Sequence, residues 1–205
     1  MKHLKTVPPQ IINTNSLVFL EASVELSDGK TQQKGFVIER GKLVDKGIGQ
    51  KFGTSSDING HKALMDSYLT ELETKRTLKF GNRNITWLIC GENNVLKNIQ
   101  SKGNEVKFRM EDDQFLKERF DKIYQKTNIF INPTHTIMGN QGKLKMRREF
   151  LSHERVYVST SNANSAKKQR LDYRSIQYVY QNSKQLEGDI LEKCDRYMLK
   201  KYQLT

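Results

Sequence analysis

Three short apolar segments separated by tight turns, all within the first quarter of the chain, restrict the fold more than any other feature. The segments are 17–26, 35–39 and 43–48. Residues 27–30 and 40–42 contain glycine and have the composition of hairpin turns. Because a parallel connection needs a dozen or more residues, strands joined this closely must be antiparallel. The sequence therefore predicts a three-stranded antiparallel meander.

The segments that follow alternate between helical and strand patterns. Residues 84–90 form an apolar run typical of a strand that is covered on both faces. Apolar residues spaced four apart predict amphipathic helices over 59–74 and 113–127, and a short helix is expected over 94–101. Residues 129–131 are expected to form the last core strand. The order βββ-α-β-α-α-β predicts an α/β fold in which the meander leads into a mixed sheet with helices on its faces.

Changes in composition predict four parts of the chain. Residues 1–15 are a polar N-terminal lead-in, and 16–137 are expected to form the α/β domain. Residues 138–171 are basic and polar and are expected to form a partly flexible arm. Residues 172–205 return to a helical pattern, which predicts a C-terminal helical extension. One face of that helix would carry Leu186, Ile190, Cys194 and Tyr197.

The chain carries a large excess of positive charge. Its 205 residues include 35 lysines and arginines against 23 aspartates and glutamates, which gives a formal net charge of +12. A surplus of this size favours a polyanionic partner, since each neutralised phosphate releases condensed counterions. We therefore expect a nucleic acid partner, whether RNA, DNA or a hybrid. Charge that serves solubility, or a docking surface for an acidic protein or a ribonucleoprotein, is the alternative.

Half of this surplus lies in the arm, and four tyrosines lie in or near it. Basic side chains can follow a phosphate backbone and neighbouring tyrosines can stack on bases. A solvated run of charge beside core tyrosines is the alternative interpretation. The candidate nucleic-acid-binding residues are Lys143, Lys145, Arg147, Arg148, Arg155, Lys167, Lys168 and Arg170.

The two cysteines, Cys90 and Cys194, lie far apart and form no CxxC pattern. This spacing excludes a zinc ribbon and argues against a disulfide framework, so both are expected to be small buried apolar residues of a cytoplasmic protein. No segment is long and apolar enough to span a membrane, and no membrane partner is expected. Glycine-rich phosphate loops, HExxH and GxSxG motifs are also absent from the sequence.

Three local segments, together with the order of elements, resemble type 1 ribonuclease H over roughly residues 16–145. Leu17-Val-Phe-Leu-Glu-Ala-Ser23 is similar to the first strand of that family. Leu88-Ile-Cys-Gly-Glu-Asn-Asn-Val95 is similar to the fourth strand and the helix after it. Ile131-Asn-Pro-Thr-His135 is similar to the segment that carries the family's catalytic-loop histidine. The resemblance implies a ribonuclease H-like mixed sheet.

The resemblance also implies a two-metal site that has lost ligands. Glu21 stands where the family has an aspartate, and Glu92 lies one residue beyond the place of a second carboxylate. Ala63 and Leu144 stand at the remaining two places. Because a pair of Mg²⁺ ions needs several carboxylate ligands, the resemblance implies a catalytically degenerate domain without a metal cofactor. The expected function is a nucleic-acid-binding or assembly module whose basic arm binds backbone phosphates.

Two alternatives remain open from the sequence. The first is an active nuclease that uses Mg²⁺ or Mn²⁺ at a rearranged site of Glu21, Asp66 and Glu92, assisted by His135, with Glu21 and Glu92 as metal ligands. If these residues have no functional role, Glu21 is a solvated charge at the end of a strand and Glu92 is a carboxylate at the start of a helix. The second alternative is a structural subunit that docks on a protein partner through its C-terminal helix.

Overall fold

The computed structural model describes residues 16–44, 47–99, 105–134, 141–161, 177–193 and 198–205. Its first part is an antiparallel hairpin of two nine-residue strands, β1 (Leu17–Glu25) and β2 (Thr31–Glu39). Two short strands, β3 (Lys42–Leu43) and β4 (Ile48–Gly49), also pair antiparallel with β2. The predicted antiparallel meander is confirmed, although its third segment is divided into two short pieces.

The remaining elements follow in chain order. The next helices and strands are α1 (Ser55–Ile58), α2 (Lys62–Thr74), β5 (Thr77–Phe80) and β6 (Arg83–Trp87). After them come a 3₁₀ helix (Cys90–Val95), β7 (Leu96–Ile99), β8 (Glu105–Phe108), α3 (Gln114–Lys126) and β9 (Ile129–Thr134). The last group is α4 (Gln141–Leu151), β10 (Val156–Ser161), β11 (Gln177–Gln181), β12 (Lys184–Gln185), β13 (Asp189–Lys193) and β14 (Met198–Lys201).

A six-stranded mixed sheet forms the centre of the fold. Its strand order is β12-β11-β10-β9-β6-β5, and the three central strands β6, β9 and β10 run parallel. The outer strands pair antiparallel, and β7–β8 and β13–β14 are separate two-stranded hairpins. The protein is therefore an α/β fold with antiparallel and mixed sheets. None of the helices in the described ranges is long and apolar enough to cross a membrane.

Helices α2 and α3 cover one face of this sheet. Their buried side chains, including Leu69, Leu72 and Phe120, join one apolar cluster with Phe130 of β9. The other face carries a second cluster in which Trp87 packs with Val37 of the hairpin. The sheet thus has helices on one side and the β1–β2 hairpin on the other. Both predicted amphipathic helices are confirmed, because a four-residue apolar spacing has a strong physical cause in one-sided burial.

Gly35 permits the close approach of the hairpin to the sheet. A Cβ atom built at this position would lie 1.9 Å from the Trp87 ring. We expect Gly35→Ala to lower the free energy of unfolding by about 1–3 kcal/mol because the ring has to move. Urea unfolding measures the loss. Gly53→Ala is the matched control, since a Cβ there makes only ordinary contacts; equal losses in both variants would contradict the packing assigned to Gly35.

The predicted C-terminal helix is wrong. The described residues of this region form strands β11 to β14. Asn182 and Ser183 both have a positive φ, of 51° and 63°, which is the backbone of a two-residue hairpin turn. This turn, which pairs β11 with β12, outweighs the helical spacing of the apolar residues. The predicted helix over 94–101 is also wrong, because the chain there leaves the 3₁₀ helix and enters β7.

The ribonuclease H-like arrangement is contradicted as well. The sequence predicts a meander that leads into one mixed sheet, whereas the β1–β4 sheet and the six-stranded sheet share no hydrogen-bonded strand pair. The hairpin instead packs face to face on the central strands through Phe19, Val37 and Trp87. The order of elements was correctly expected as far as helix α2, but strand β5 was missed. Order alone also does not determine which strands become neighbours.

Candidate functional site

The carboxyl ends of the three parallel strands bring several polar residues together. In open α/β sheets, ligand sites characteristically lie at this edge. Cys90 follows β6, and its carbonyl oxygen accepts a hydrogen bond from Asn132 Nδ2 of β9 at 3.1 Å. The Tyr157 hydroxyl of β10 donates to Asn132 Oδ1, also at 3.1 Å. Asn132 therefore links the end of one strand to the start of the loop that carries the thiol.

Cys90 has a backbone conformation that is rare for its residue type. Its φ is 46° and its side chain is buried. The other described non-glycine residues with positive φ, namely Arg40, Glu154, Asn182 and Ser183, all lie in exposed or partly exposed turns. Left-handed backbone at such a residue costs roughly 1–3 kcal/mol and is concentrated at functional sites. Nucleophile elbows use a similar strained turn between a strand and a helix but expose the side chain, whereas that of Cys90 is buried.

Glu92 holds the Cys90 loop against the loop that follows β4. Its side chain is fully buried, and Oε2 accepts hydrogen bonds from the Ile89 N–H at 2.8 Å and from Arg76 Nη1 at 2.5 Å. Its Oε1 accepts the Lys51 N–H at 2.7 Å. One carboxylate therefore fixes the residues on both sides of Cys90 and the backbone of Lys51.

The charge of Glu92 belongs to a larger chain of ion pairs. Arg76, which is fully buried, bonds Glu92 on one side and Glu71 Oε2 at 2.8 Å on the other. Glu71 Oε1 in turn lies 2.7 Å from Lys51 Nζ. Burial raises the pKa of the Glu92 carboxyl above its ordinary value, while Arg76 acts in the opposite direction. The resulting order Lys51–Glu71–Arg76–Glu92 places alternating charges beside the Cys90 loop.

A surface cleft opens beside the same loop. It has a volume of about 280 Å³ and is lined by Gln32, Gln50 and Lys51, among others. Gly53, which also lines the cleft, touches Gly91: a Cβ atom at Gly91 would lie 2.0 Å from the Gly53 carbonyl oxygen. The residue after the cysteine is therefore packed directly on a wall of the cleft.

Glu21 lies on the inner face of the hairpin. The strand register pairs it with Gly35, and directly paired residues point to the same side of a sheet. On that side Gly35 meets Trp87, which belongs to the apolar cluster that contains Cys90. The Glu21 Oε2 atom is buried. This position differs from the solvated strand-end charge that was one interpretation of the sequence.

The three carboxylates of the predicted metal site have separate surroundings. Glu92 is bound by Arg76, whereas Asp66 lies on α2 and forms an ion pair with Arg119. Glu21 lies on β1, and His135 is outside the described residues. Within the described ranges, no three His, Cys, Asp or Glu side chains are grouped so that they would hold a metal ion. The structure thus gives no geometric support to a rearranged magnesium or manganese site.

The basic residues of the predicted arm divide into four groups. Lys143 and Lys145 are exposed on α4. Arg147 and Arg148 are buried on the same helix, and Arg148 stacks on the Tyr178 ring at 3.7 Å. Arg155 stacks on Tyr124 and donates to its carbonyl oxygen at 2.6 Å. Three further candidates, Lys167, Lys168 and Arg170, lie outside the described residues.

Comparison with known proteins gives a distant structural match. No family model matches the chain, and no curated protein matches it. Among solved structures, it is similar to a glutamine-dependent NAD⁺ synthetase from Acinetobacter baumannii in complex with ADP, with 10% identity and a TM-score of 0.46. The match covers 89% of this chain and 30% of that one. The matched structure is not a ribonuclease H, and the resemblance to that family is wrong, because the strands pair differently from the expected single mixed sheet.

Sequence reasoning did not include Cys90 among the candidate site residues. It correctly expected a buried cysteine, but the left-handed backbone is not readable from residue type. The signal available was Cys90-Gly91-Glu92 directly after an apolar strand, because glycine permits close backbone approach there and a carboxylate can bind the flanking N–H groups. The resemblance to ribonuclease H made Glu92 a metal ligand in the active-nuclease alternative and gave Cys90 no role.

Proposed function

We propose that this protein transfers an acyl group from an amide or ester through the thiol of Cys90. The observation that carries the proposal is the buried, left-handed Cys90 at the carboxyl edge of the parallel strands. Thiolates are strong nucleophiles towards carbonyl carbon, and ligand sites of open α/β sheets lie at the carboxyl edge of the parallel strands, which Cys90 follows. The cleft that Lys51 and Gly53 line lies next to Gly91, the residue after Cys90.

The reaction has two balanced steps. In the first, Cys90 Sγ forms a bond to the carbonyl carbon, the bond to the amine or alcohol breaks, and the leaving group takes the thiol proton. In the second, water or another acceptor cleaves the thioester and returns the proton to Sγ. Hydrolysis of an amide thus yields a carboxylic acid and an amine.

Glu21 and Lys51 are proposed to assist this chemistry. Glu21 lies on the face of the hairpin that packs against the Cys90 cluster, so its carboxylate is suited to carry the proton between Sγ and the leaving group. Lys51 lines the cleft and carries a positive charge that favours a thiolate and a developing oxyanion. Glu92 and Arg76 are proposed to hold the Cys90 loop against the loop that follows β4 and not to contact the substrate.

Alkylation with iodoacetamide tests the proposal. A panel of p-nitrophenyl esters and simple amides first identifies a substrate that the protein cleaves. We expect cleavage to disappear as one alkyl group is added at Cys90. An excess of substrate should slow both the alkylation and the loss of activity. The Cys194→Ser variant is the control, because its activity and its inactivation should match the wild type. Full cleavage by protein alkylated at Cys90 would overturn the proposal.

A second proposal, nucleic acid binding, is supported by the net charge of +12 and by the exposed Lys143 and Lys145. We expect a short oligonucleotide to bind with an affinity that falls steeply with salt, and the double variant Lys143→Gln, Lys145→Gln to weaken binding and reduce the salt slope by about 2. Fluorescence anisotropy at several salt concentrations measures both. Lys62→Gln, at an exposed lysine on α2, is the control; binding that is insensitive to salt would contradict this proposal.

A further inference from the structure

Arg147 is a buried cation whose hydrogen bonds all reach neutral groups. It is 8% exposed, and its Nε donates to Asn98 Oδ1 at 2.9 Å. Its Nη1 donates to Asn94 Oδ1 at 2.8 Å and makes longer contacts of 3.4 and 3.5 Å with Asn93. These acceptors are amide and backbone oxygens, so they satisfy N–H groups but do not neutralise the guanidinium charge.

Arg109 brings a second positive charge to the same place. It follows β8, and its Nε donates to the Asn94 carbonyl oxygen at 2.7 Å while Nη2 donates to the Leu96 carbonyl oxygen at 3.0 Å. Both arginines therefore meet on Asn94, within the 3₁₀ helix that begins at Cys90. Their closeness is reflected in the pKa of Arg147, which burial and the charge of Arg109 lower to about 10.

The other buried or half-buried arginines have either a carboxylate or an aromatic ring beside the guanidinium. Arg148 stacks on Tyr178 and Arg155 on Tyr124. Arg76 is paired with Glu71 and Glu92, and Arg119 with Asp66 and Glu73. In the described part of the chain, no carboxylate forms an ion pair with Arg109 or Arg147. Two neighbouring cations without a counter-charge are unfavourable in a partly desolvated position, and a bound anion removes both the repulsion and the burial cost.

We infer that Arg109 and Arg147 form a recognition site for one anionic group, a carboxylate or phosphate, of a small ligand. Arg147 Nη2 and Arg109 Nη1 make no hydrogen bond to any described group, so each guanidinium has donors left for the anion. Planar guanidinium groups bind such oxyanions with paired hydrogen bonds. Arg147 is more than nine-tenths buried, and this burial favours a small anionic group over a polymer backbone.

This inference goes beyond the proposed acyl transfer and does not depend on it. Its test is binding of inorganic phosphate and of succinate, measured by isothermal titration calorimetry at low ionic strength with sodium chloride as the ionic control. We expect saturable binding of at least one anion with one site per chain. Preference between the two probes distinguishes a phosphate ligand from a carboxylate ligand.

Variants locate the binding. Arg109→Gln should raise the dissociation constant at least about tenfold. Arg147→Lys should also weaken binding, because the ammonium group of lysine lacks the paired N–H donors of a planar guanidinium. Lys145→Gln is the matched control, since Lys145 lies on the same helix but is exposed near Glu149. Cys90→Ala should bind like the wild type, which separates this result from any failure of the acyl-transfer proposal.

Two results would overturn the inference. One is the lack of saturable binding of either anion. The other is anion binding that Arg109→Gln leaves unchanged. This second result includes anion binding that an oligonucleotide competes away and that only substitutions of Lys143 and Lys145 weaken. Arg109→Gln keeps the test valid should Arg147→Lys fail to fold, because Arg109 lies only partly buried after β8.

Discussion

Replacement of Arg76 by methionine is expected to lower the free energy of unfolding by about 3–5 kcal/mol at neutral pH. The substitution keeps an unbranched side chain in the buried space but removes the only cation bonded to Glu92 among the described residues. Glu92 then remains fully buried with its charge uncompensated, and Glu71 adds a second negative charge nearby. Chemical denaturation monitored by tryptophan fluorescence measures the loss, since Trp87 is buried in the adjacent cluster.

The loss should depend on pH in a defined direction. Burial raises the pKa of Glu92 above its ordinary value of 4.5, and without Arg76 the lowering influence of that cation disappears. A carboxyl whose pKa is raised in the folded state binds a proton more readily when folded. The deficit is therefore largest above the folded pKa of Glu92 and shrinks as the pH falls towards 4.5.

Arg83→Met is the control for this prediction, because Arg83 is exposed at the start of β6 in the same sheet. Its effect should stay within roughly 0.5 kcal/mol. A loss for Arg76→Met that is no larger than that of the control, or that grows as the pH falls, would contradict the buried ion-pair chain.

Replacement of Cys90 by alanine or serine is expected to reduce acyl transfer by at least about a thousandfold. Alanine removes the nucleophile, and serine supplies a hydroxyl that is far less ionised than a thiol at neutral pH. The effect should appear in the rate of product release from whichever ester or amide the protein cleaves. Both variants keep a Cβ atom and therefore the same left-handed backbone strain as the wild type.

Because the strain is retained, the folded structure should survive. We expect far-ultraviolet circular dichroism to be unchanged and the unfolding midpoint to shift by only a few degrees. Cys194→Ser should keep full activity and serves as the matched control. Activity in Cys90→Ala within about tenfold of the wild type would show that the thiol is not the nucleophile.

Parts of the fold with a strong local cause could be predicted from the sequence. The meander follows from short turns, and α2 and α3 follow from apolar residues spaced four apart over thirteen-residue segments. The prediction of a C-terminal helix failed because Leu186 and Ile190 fit a helical spacing as well as they fit strands. In the structure Ile190 belongs to the exposed strand β13, and the two-residue turn at Asn182 and Ser183 determines the local conformation.

The candidate site was harder to predict because its features depend on tertiary contacts. Arg147 and Arg148 lie in a run of basic residues, which indicates a solvated surface, yet amide side chains and the Tyr178 ring bury them. Glu92 was recognised as a notable carboxylate, but its partner Arg76 is sixteen residues earlier in the chain. The positive φ of Cys90 has no signature in the sequence.

The most direct test of the central claim is mass spectrometry of the protein during turnover. The protein is mixed with excess activated ester, quenched in acid within the first turnovers and measured intact and after digestion. The account predicts one acyl group per chain, attached to the peptide that contains Cys90 and absent from Cys90→Ala. An acyl group on another residue, or cleavage of the substrate with no acylated protein at any time, would contradict it.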